Sequence, residues 1–339
     1  MKRGMRGTLL LAGLALVAWI FWRVGWPAIA SNLAAIGAWF VLLVAIYFFA
    51  KAAFLLGWWL VIDPLLPPSA LPRLLGIYLA GYTVNYVAPG GVAGEPLKAR
   101  LLSGLVPPGR ALASLTIHKH ADMLAQWVFI VTGVTICLVR FPLPAAARWA
   151  ALGGIAVLGA LFVLLTWSLF RGTYGPILRW LGRWKFLAAK VSRYLEAAQR
   201  VDADIRSFYA AHRGRFTAAV CLSFLGWCGG LVETYLVLRL VAPGAGWPTA
   251  FAVEAMAMAL NNMFLWIPAR AGSAEGVRVG VFILLGLAAA QGAAYALARR
   301  AREFVWLLPG ALYLIAHQAR RRPGPAQAVK LPIGAEELR

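Results

Sequence analysis

The chain has 339 residues, of which 62% are hydrophobic and 13% are charged. Soluble domains carry about 25% charged residues, so this composition leaves too little polar surface for a globule in water and predicts an integral membrane protein. The 33 Lys and Arg residues exceed the 12 Asp and Glu residues, which gives a formal net charge of +21. In a membrane protein such an excess collects in cytoplasmic loops and near anionic lipids, so it does not argue for nucleic-acid binding.

Six hydrophobic stretches are long enough to cross the hydrocarbon core of a bilayer, which takes about 20 residues. They lie at about 8–26, 36–62, 112–139, 149–170, 216–241 and 291–318. We interpret the first as a retained helix rather than a signal peptide, because no small-residue cleavage site follows it. Two further apolar regions, 71–105 and 248–290, are interrupted by Pro and Gly. Each is predicted to form two short helices that flank a break, either as a re-entrant hairpin or as a full span.

The loop at 171–215 carries ten Lys or Arg residues against three acidic residues, which predicts that it is cytoplasmic. Both termini are expected on the same side. Apolar residues between Ile177 and Leu195 recur at helical spacing among basic residues, which predicts an amphipathic helix on the anionic leaflet. The expected parts are one transmembrane domain at 1–322, with repeats at about 36–139 and 216–318, and a disordered cytoplasmic tail at 323–339.

The two interrupted regions resemble each other. Their matching residues are Asn85, Pro89, Gly94, Glu95 and Lys98 in the first region and Asn262, Pro268, Gly272, Glu275 and Arg278 in the second. The two glutamates are 180 residues apart, and the pair Lys119 and Asp122 recurs as Arg300 and Glu303 at a displacement of 181. With the orientation given by the basic loop, the two regions enter the membrane from opposite sides. We therefore predict an all-α polytopic fold of two inverted-topology repeats with broken helices around a central polar cavity, as in many transporters.

A helix break at membrane depth is tolerated where the unpaired backbone is buried in protein or lines a wet cavity. The helix that follows presents free N–H groups and a partial positive charge, which favour a phosphate. The predicted break residues are Pro89, Gly90, Gly91, Gly94, Pro268, Gly272 and Gly276. The predicted substrate-binding residues are Asn85, Glu95, Lys98, Lys119, Asp122, Asn262, Glu275, Arg278, Arg300 and Glu303. Two alternatives stay open: the two glutamates after the breaks only cap helices, and the two ion pairs only neutralise themselves.

Three other charged residues are candidates for burial, and one acidic pattern is not interpreted as a metal site. Lys51, Glu233 and Glu254 lie in apolar stretches, where charge is costly unless it is paired or functional, and Arg239 is a possible partner for Glu233. The pattern Asp202-Ala-Asp204 matches a metal-binding motif but lies among basic residues, so we interpret it as solvated. The sequence contains no recognisable nucleotide-binding loop or catalytic nucleophile, and we expect no metal and no cofactor.

The motifs at 89–95 (Pro-Gly-Gly-Val-Ala-Gly-Glu) and 268–276 (Pro-Ala-Arg-Ala-Gly-Ser-Ala-Glu-Gly) resemble those of the flippase-like domain family. That family includes the membrane region of lysylphosphatidylglycerol synthases and stand-alone proteins associated with hopanoid biosynthesis, which look most similar. The resemblance implies functional roles for Asn85, Pro89, Gly90, Gly94, Glu95, Lys119, Asp122, Glu275 and Gly276. The chain departs from the family at Ala269-Arg270, where Gly is more usual, which predicts a looser helix entry. The soluble aminoacyl-transferase domain is absent, so we do not expect this chain to make lysylphosphatidylglycerol.

Together these features predict a flippase-like transporter, and not an enzyme, that moves an amphipathic phospholipid or related lipid between leaflets. The expected location is the bacterial cytoplasmic membrane. The expected partners are lipids with an anionic or zwitterionic headgroup and lipid-biosynthesis enzymes, with no nucleic acid. The alternatives are a membrane-embedded lipid-modifying transferase and a non-catalytic partner of a hopanoid-biosynthesis complex. The lipid, the direction of transport, its energy coupling and the oligomeric state stay open at this point.

Overall fold

The computed structural model describes Trp22 and residues 25–88, 92–264 and 267–321, and the regular structure within these ranges is helical. The α-helices are α1 Trp26–Ile36, α2 Phe40–Leu60, α3 Leu71–Val87, α4 Gly94–Leu102, α5 Pro108–Arg140, α6 Ala145–Arg171, α7 Tyr174–Leu181, α8 Lys185–Ala211, α9 Arg213–Val241, α10 Trp247–Asn261, α11 Ser273–Leu284 and α12 Ala289–Arg321. The all-α prediction is confirmed for this part of the chain. The tail predicted at 323–339 lies outside the described residues.

Among the described residues, four helical segments are long and apolar enough to cross a membrane. They are Trp26–Leu60, Pro108–Arg140, Ala145–Leu169 and Arg213–Val241. They coincide with four of the predicted stretches, so the chain is a multi-pass membrane protein. The stretch predicted at 8–26 lies almost entirely outside the described residues. The stretch predicted at 291–318 is covered by α12, but four ionisable residues between 299 and 303 make this helix less apolar than the other four.

The first interrupted region forms two helices, α3 and α4, as predicted. The backbone leaves α3 at Ala88, which is extended with φ of −87° and ψ of 142°. A Cβ atom added at Gly94, the first residue of α4, would lie 2.1 Å from the carbonyl oxygen of Gly81 in α3. Only glycine permits this approach, so Gly94 fixes how closely the two helices cross. The predicted break residues Pro89, Gly90 and Gly91 lie outside the described residues.

The second interrupted region also forms two helices, α10 and α11. Gly272 precedes α11 with φ of 75°, in the left-handed region that glycine favours. Ala269 and Arg270 have φ of 53° and 48°, a conformation that costs an L-residue roughly 1–2 kcal/mol. The two residues that stand in place of the expected glycine therefore carry backbone strain. Gly276 is not part of the break: its N–H donates to the Gly272 carbonyl at 2.8 Å and completes the first turn of α11.

The basic loop forms two helices, α7 and α8, rather than the single amphipathic helix that its sequence predicts. Asp202 of α8 is buried and accepts hydrogen bonds from the N–H groups of Thr173, Tyr174 and Gly175 at 2.9, 3.0 and 2.8 Å. Its carboxylate therefore caps the N-terminus of α7, which corrects the interpretation of Asp202 as a solvated residue. On α7, Trp180 is exposed, as expected for a helix that lies at a membrane surface.

The helices of the two halves pack against each other. Among the described residues, α2 and α9 make the most extensive helix contact, α5 packs against α9 and α10, and α12 packs against α3 and α11. One apolar core includes Phe129, Val237, Val253 and Phe282, and a second includes Trp58, Ile77, Leu102 and Ile117. Ionisable residues of α2, α10 and α12 line a common pocket.

Candidate functional site

A pocket of about 320 Å³ lies among α2, α3, α5, α9, α10, α11 and α12, and residues of the second helix break also line it. Its polar lining consists of Lys51, Asn85, Gln126, Glu254, Asn261, Asn262, Arg270, Arg278, Arg299, Arg300, Arg302 and Glu303. Its aromatic lining consists of Tyr47, Phe54, Tyr82, Tyr86 and Trp227. Because charged groups inside a membrane protein are costly, such a cluster at a cavity marks a candidate functional site.

Arg300 holds the second break in place. Its Nε donates to Glu275 Oε1 at 2.6 Å, and its Nη1 donates to the carbonyl of Ala269 at 2.9 Å and to the hydroxyl of Tyr86. The intrahelical partner expected from the sequence, Glu303, is farther away, with its Oε2 3.5 Å from Nη1. Arg300 therefore pairs mainly with Glu275 of α11, because its long side chain reaches across the break. In doing so it stabilises the strained backbone of the break.

Glu303 lies among several arginines rather than beside one. Its carboxylate oxygens are 3.5 Å from Arg278 Nη2, 3.5 Å from Arg300 Nη1 and 3.8 Å from Arg302 Nη2. The hydroxyl of Tyr86 also donates to its Oε2 at 3.0 Å. Glu303 is therefore the negative charge shared by the arginines at this end of the pocket.

A second charged network connects α9, α10 and α12. Arg302 Nη1 donates to Glu233 Oε2 at 2.5 Å, and Arg299 Nη2 lies 3.8 Å from the same oxygen. Arg299 Nη1 also donates to Glu254, which accepts from the hydroxyls of Thr234 and Tyr295 at 2.8 and 2.9 Å. The burial of Glu233 and Glu254 is as expected, but Arg239 is exposed and the partner of Glu233 is Arg302. The sequence gives little sign of this pair because 69 residues separate its members.

Near the first break, the polar side chains of Asn85, Glu95 and Lys98 are paired with described neighbours. The Gly94 N–H donates to Asn85 Oδ1 at 2.6 Å, and Asn85 Nδ2 donates to Glu95 Oε1 at 2.8 Å. Lys98 Nζ is 2.8 Å from the same glutamate oxygen and 5.4 Å from the centre of the Tyr78 ring. Asn85 lines the pocket, whereas Glu95 and Lys98 are not part of its described lining. Both glutamates that follow the breaks thus have a basic partner, Lys98 for Glu95 and Arg300 for Glu275.

Lys119 and Asp122 form the predicted ion pair, with Lys119 Nζ 3.0 Å from Asp122 Oδ2. Neither residue belongs to the pocket lining as the structure describes it. Asn262 does line the pocket, where its Nδ2 lies 3.5 Å from Gln126 Oε1. Of the ten predicted binding residues, those on the pocket are Asn85, Asn262, Arg278, Arg300 and Glu303, and Glu275 is attached to them through Arg300.

Lys51 is a buried cation that the sequence flagged without a role. It is 7% exposed, and its Nζ lies 3.9 Å from the centre of the Tyr82 ring and 4.5 Å from that of Tyr47. No described carboxylate forms an ion pair with it. Cation–π contact with two rings stabilises an ammonium group without neutralising it, so Lys51 contributes net positive charge to the pocket.

The described side chains do not suggest a metal centre. Within residues 25–88, 92–264 and 267–321, no group of three or more His, Cys, Asp or Glu residues is placed to hold a metal ion. The charged groups of the pocket described by the structure are arginine-carboxylate pairs together with Lys51 and Arg270. Such a lining suits an anion held by hydrogen bonds and charge.

Comparisons with known proteins agree with this picture of a membrane domain. No curated protein and no solved structure matches the chain. Residues 7–310 match the family described as "Lysylphosphatidylglycerol synthase TM region". The matched range includes both interrupted regions and the residues that line the pocket. The chain therefore belongs to the family of lysylphosphatidylglycerol synthase transmembrane regions.

Proposed function

We propose that this protein moves a phospholipid or related amphipathic lipid between the leaflets of a membrane. The observation that carries the proposal is the basic pocket beside a helix break, in a multi-pass protein whose family is linked by its name to a lipid-modifying enzyme. A lipid headgroup crosses hydrocarbon slowly because its polar groups lose water. A pocket with hydrogen-bond donors replaces that water and lowers the barrier.

The size of the pocket fits a headgroup rather than a whole lipid. Its volume of about 320 Å³ lies at the lower end of the roughly 300–1,000 Å³ typical of ligand sites. Such a space takes a phosphate and a small substituent, while the acyl chains stay in the bilayer. A space of this size supports the proposal, because in leaflet exchange only the headgroup has to avoid the hydrocarbon.

A second line of support is the correspondence between the halves. Helices α5 and α12 each have 33 residues, and both ends of α12 lie 181 residues after the corresponding ends of α5. Likewise α2 and α9 end 181 residues apart, at Leu60 and Val241. Contacts follow the same relation: α5 packs against α10, and α12 packs against α3. Under our proposal these are inverted-topology repeats, and the pocket lies near their common axis, as in other secondary transporters.

The pairing of the acidic groups favours transport over the alternative of a lipid-modifying transferase. A general base needs a carboxylate that is free to take a proton. Glu254 and Glu275 each contact one arginine, Glu233 contacts two and Glu303 contacts three. Carboxylates held in this way are better suited to fixing arginines than to acid or base catalysis. We therefore propose a transporter without enzymatic activity.

The test is leaflet exchange in vesicles. Purified protein is reconstituted with a headgroup-labelled fluorescent phospholipid, and loss of fluorescence after addition of an impermeant quencher is followed. Wild-type protein should raise the rate above that of empty vesicles. Arg300→Ala should slow exchange, whereas Arg200→Ala, which removes an exposed arginine of α8, should not. A well-folded wild-type protein that leaves anionic, zwitterionic and polyprenyl-phosphate probes at the empty-vesicle rate would contradict the proposal.

A further inference from the structure

We propose that the pocket binds the terminal phosphate monoester of a lipid at Arg278, with Lys51 and Arg270 supplying the remaining positive charge. This inference rests on the proposed function and adds the position and the charge of the headgroup. It differs from the expectation drawn from the sequence, which included zwitterionic lipids and both helix breaks.

The first observation is the incomplete pairing of Arg278. Arg278 lines the pocket and is 7% exposed. Its one ion pair within the described structure is with Glu303, at 3.5 Å from Nη2, and its Nε and Nη1 have no hydrogen-bond partner among the described residues. Buried donors without acceptors are rare in folded proteins because they are costly. Phosphate oxygens match the guanidinium group in geometry and charge, so a bound phosphate is the acceptor that Arg278 lacks.

The second observation is the charge balance of the pocket. Among the described residues, its lining contains six cations, namely Lys51 and the arginines at 270, 278, 299, 300 and 302. Four glutamates line the pocket or form ion pairs with these arginines, namely those at 233, 254, 275 and 303. The surplus is therefore two positive charges, and protonation of any glutamate would increase it.

This surplus selects among headgroups. A phosphate monoester carries close to two negative charges at neutral pH, about −1.5 to −2. A phosphodiester carries one, and a zwitterionic headgroup has no net charge. Because charge is poorly screened inside a membrane protein, the ligand that cancels the surplus is favoured over ligands that cancel half of it or none. The monoester is therefore the best match.

The first break is a poorer place for the phosphate. The Gly94 N–H, at the start of α4, already donates to Asn85, and Lys98 is paired with Glu95. A phosphate there would have to displace existing hydrogen bonds. At the second break, Arg278 has donors to spare and Arg270 is exposed at the pocket lining. The phosphate therefore belongs beside α11.

The experiment measures lipid selectivity on the full-length protein in neutral nanodiscs. The probes are phosphatidic acid, a monoester; phosphatidylglycerol, an anionic diester; and phosphatidylcholine, a zwitterion. We expect affinity to fall in that order, with phosphatidic acid bound about tenfold or more tightly than phosphatidylcholine. Arg278→Gln should lower the affinity for phosphatidic acid about tenfold and bring the three lipids closer together. Arg239→Gln, which removes an exposed arginine of α9, should leave the order unchanged.

A second variant keeps the test informative if Arg278→Gln does not fold. Lys51→Gln breaks no described ion pair, so it should fold, and it too should weaken binding of phosphatidic acid more than binding of phosphatidylcholine. Equal affinity for the three lipids, or an unchanged preference in both variants, would overturn the inference. Inorganic phosphate that competes as strongly as phosphatidic acid would also overturn it, because the site would then belong to a free anion.

The result can be separated from that of the transport assay. Selective binding of phosphatidic acid without faster leaflet exchange would support this binding site and contradict the transport proposal. Fast exchange of all three lipids, together with binding that lacks any preference, would support transport and overturn the monoester site.

Discussion

Arg302→Met tests the buried charge network directly. Arg302 is 1% exposed and donates to Glu233, which is 0% exposed, at 2.5 Å. Without Arg302, the closest cation left to Glu233 within the described residues is Arg299, with its Nη2 at 3.8 Å. Removing one partner of a buried ion pair costs about 3–5 kcal/mol. Because Arg299 still offers partial compensation, we expect about 3 kcal/mol, which corresponds to a fall of roughly 4 °C in Tm for a chain of 339 residues.

The assay is thermal unfolding of purified protein in detergent, followed by tryptophan fluorescence. Arg239→Met is the matched control, since Arg239 is exposed and its replacement should change stability by less than about 0.5 kcal/mol. The double variant Arg302→Met with Glu233→Gln should recover most of the loss, because no charge is left without a partner. If Arg302→Met lowers Tm no more than Arg239→Met does, the buried network is not as described.

Three further predictions concern topology, the helix crossing and the second ion pair. In a background without the three native cysteines, Gly109→Cys and Gly182→Cys should react with a thiol reagent only from the cytoplasmic side. Pro144→Cys and Gly244→Cys should react only from outside. Reaction of Gly109→Cys and Gly244→Cys from the same side would rule out inverted repeats. Gly94→Ala should lower stability by about 1–3 kcal/mol in thermal unfolding, because the added Cβ would meet the Gly81 carbonyl. Gly153→Ala, in the interior of α6 with nothing within 4 Å, should not lower stability. The double variant Lys119→Met with Asp122→Leu should preserve both folding and lipid exchange, since the pair lies apart from the described pocket lining. Lys119→Met alone should lower Tm, because it leaves Asp122 without its partner. Loss of exchange in a stable double variant would give the pair a transport role.

The features that the sequence predicted well are those encoded locally. Long apolar runs require helices in a membrane, and Pro and Gly clusters within such a run predict a break between two helices. The break between α3 and α4 and the one between α10 and α11 follow from this local chemistry. The limit of such reasoning is visible at Gly276, which a motif groups with the break although the hydrogen bond to Gly272 makes it helical.

The partners of the charged residues could not be predicted in the same way. The spacing of Arg300 and Glu303 allows an intrahelical pair, but a guanidinium on a long flexible stem takes the better geometry offered by Glu275 across the break. Glu233 pairs with Arg302, and Lys51 contacts the rings of Tyr47 and Tyr82. These contacts depend on how helices that are distant in sequence cross. Asp202 illustrates the same point on the basic loop, since only the fold brings it to the start of α7.

Passage of the lipid headgroup through the pocket is tested most directly by blocking the pocket and measuring lipid exchange. Ala88 lines the pocket and is partly exposed, so Ala88→Cys in a cysteine-free background gives a reagent one attachment point there. We expect the unmodified variant to exchange headgroup-labelled lipid like the wild type and a bulky thiol reagent to reduce the rate to that of empty vesicles. The same reagent on Gly153→Cys, in α6 with open space around it, should leave exchange intact. Undiminished exchange after complete modification at position 88 would contradict the claim that the lipid headgroup passes through this pocket.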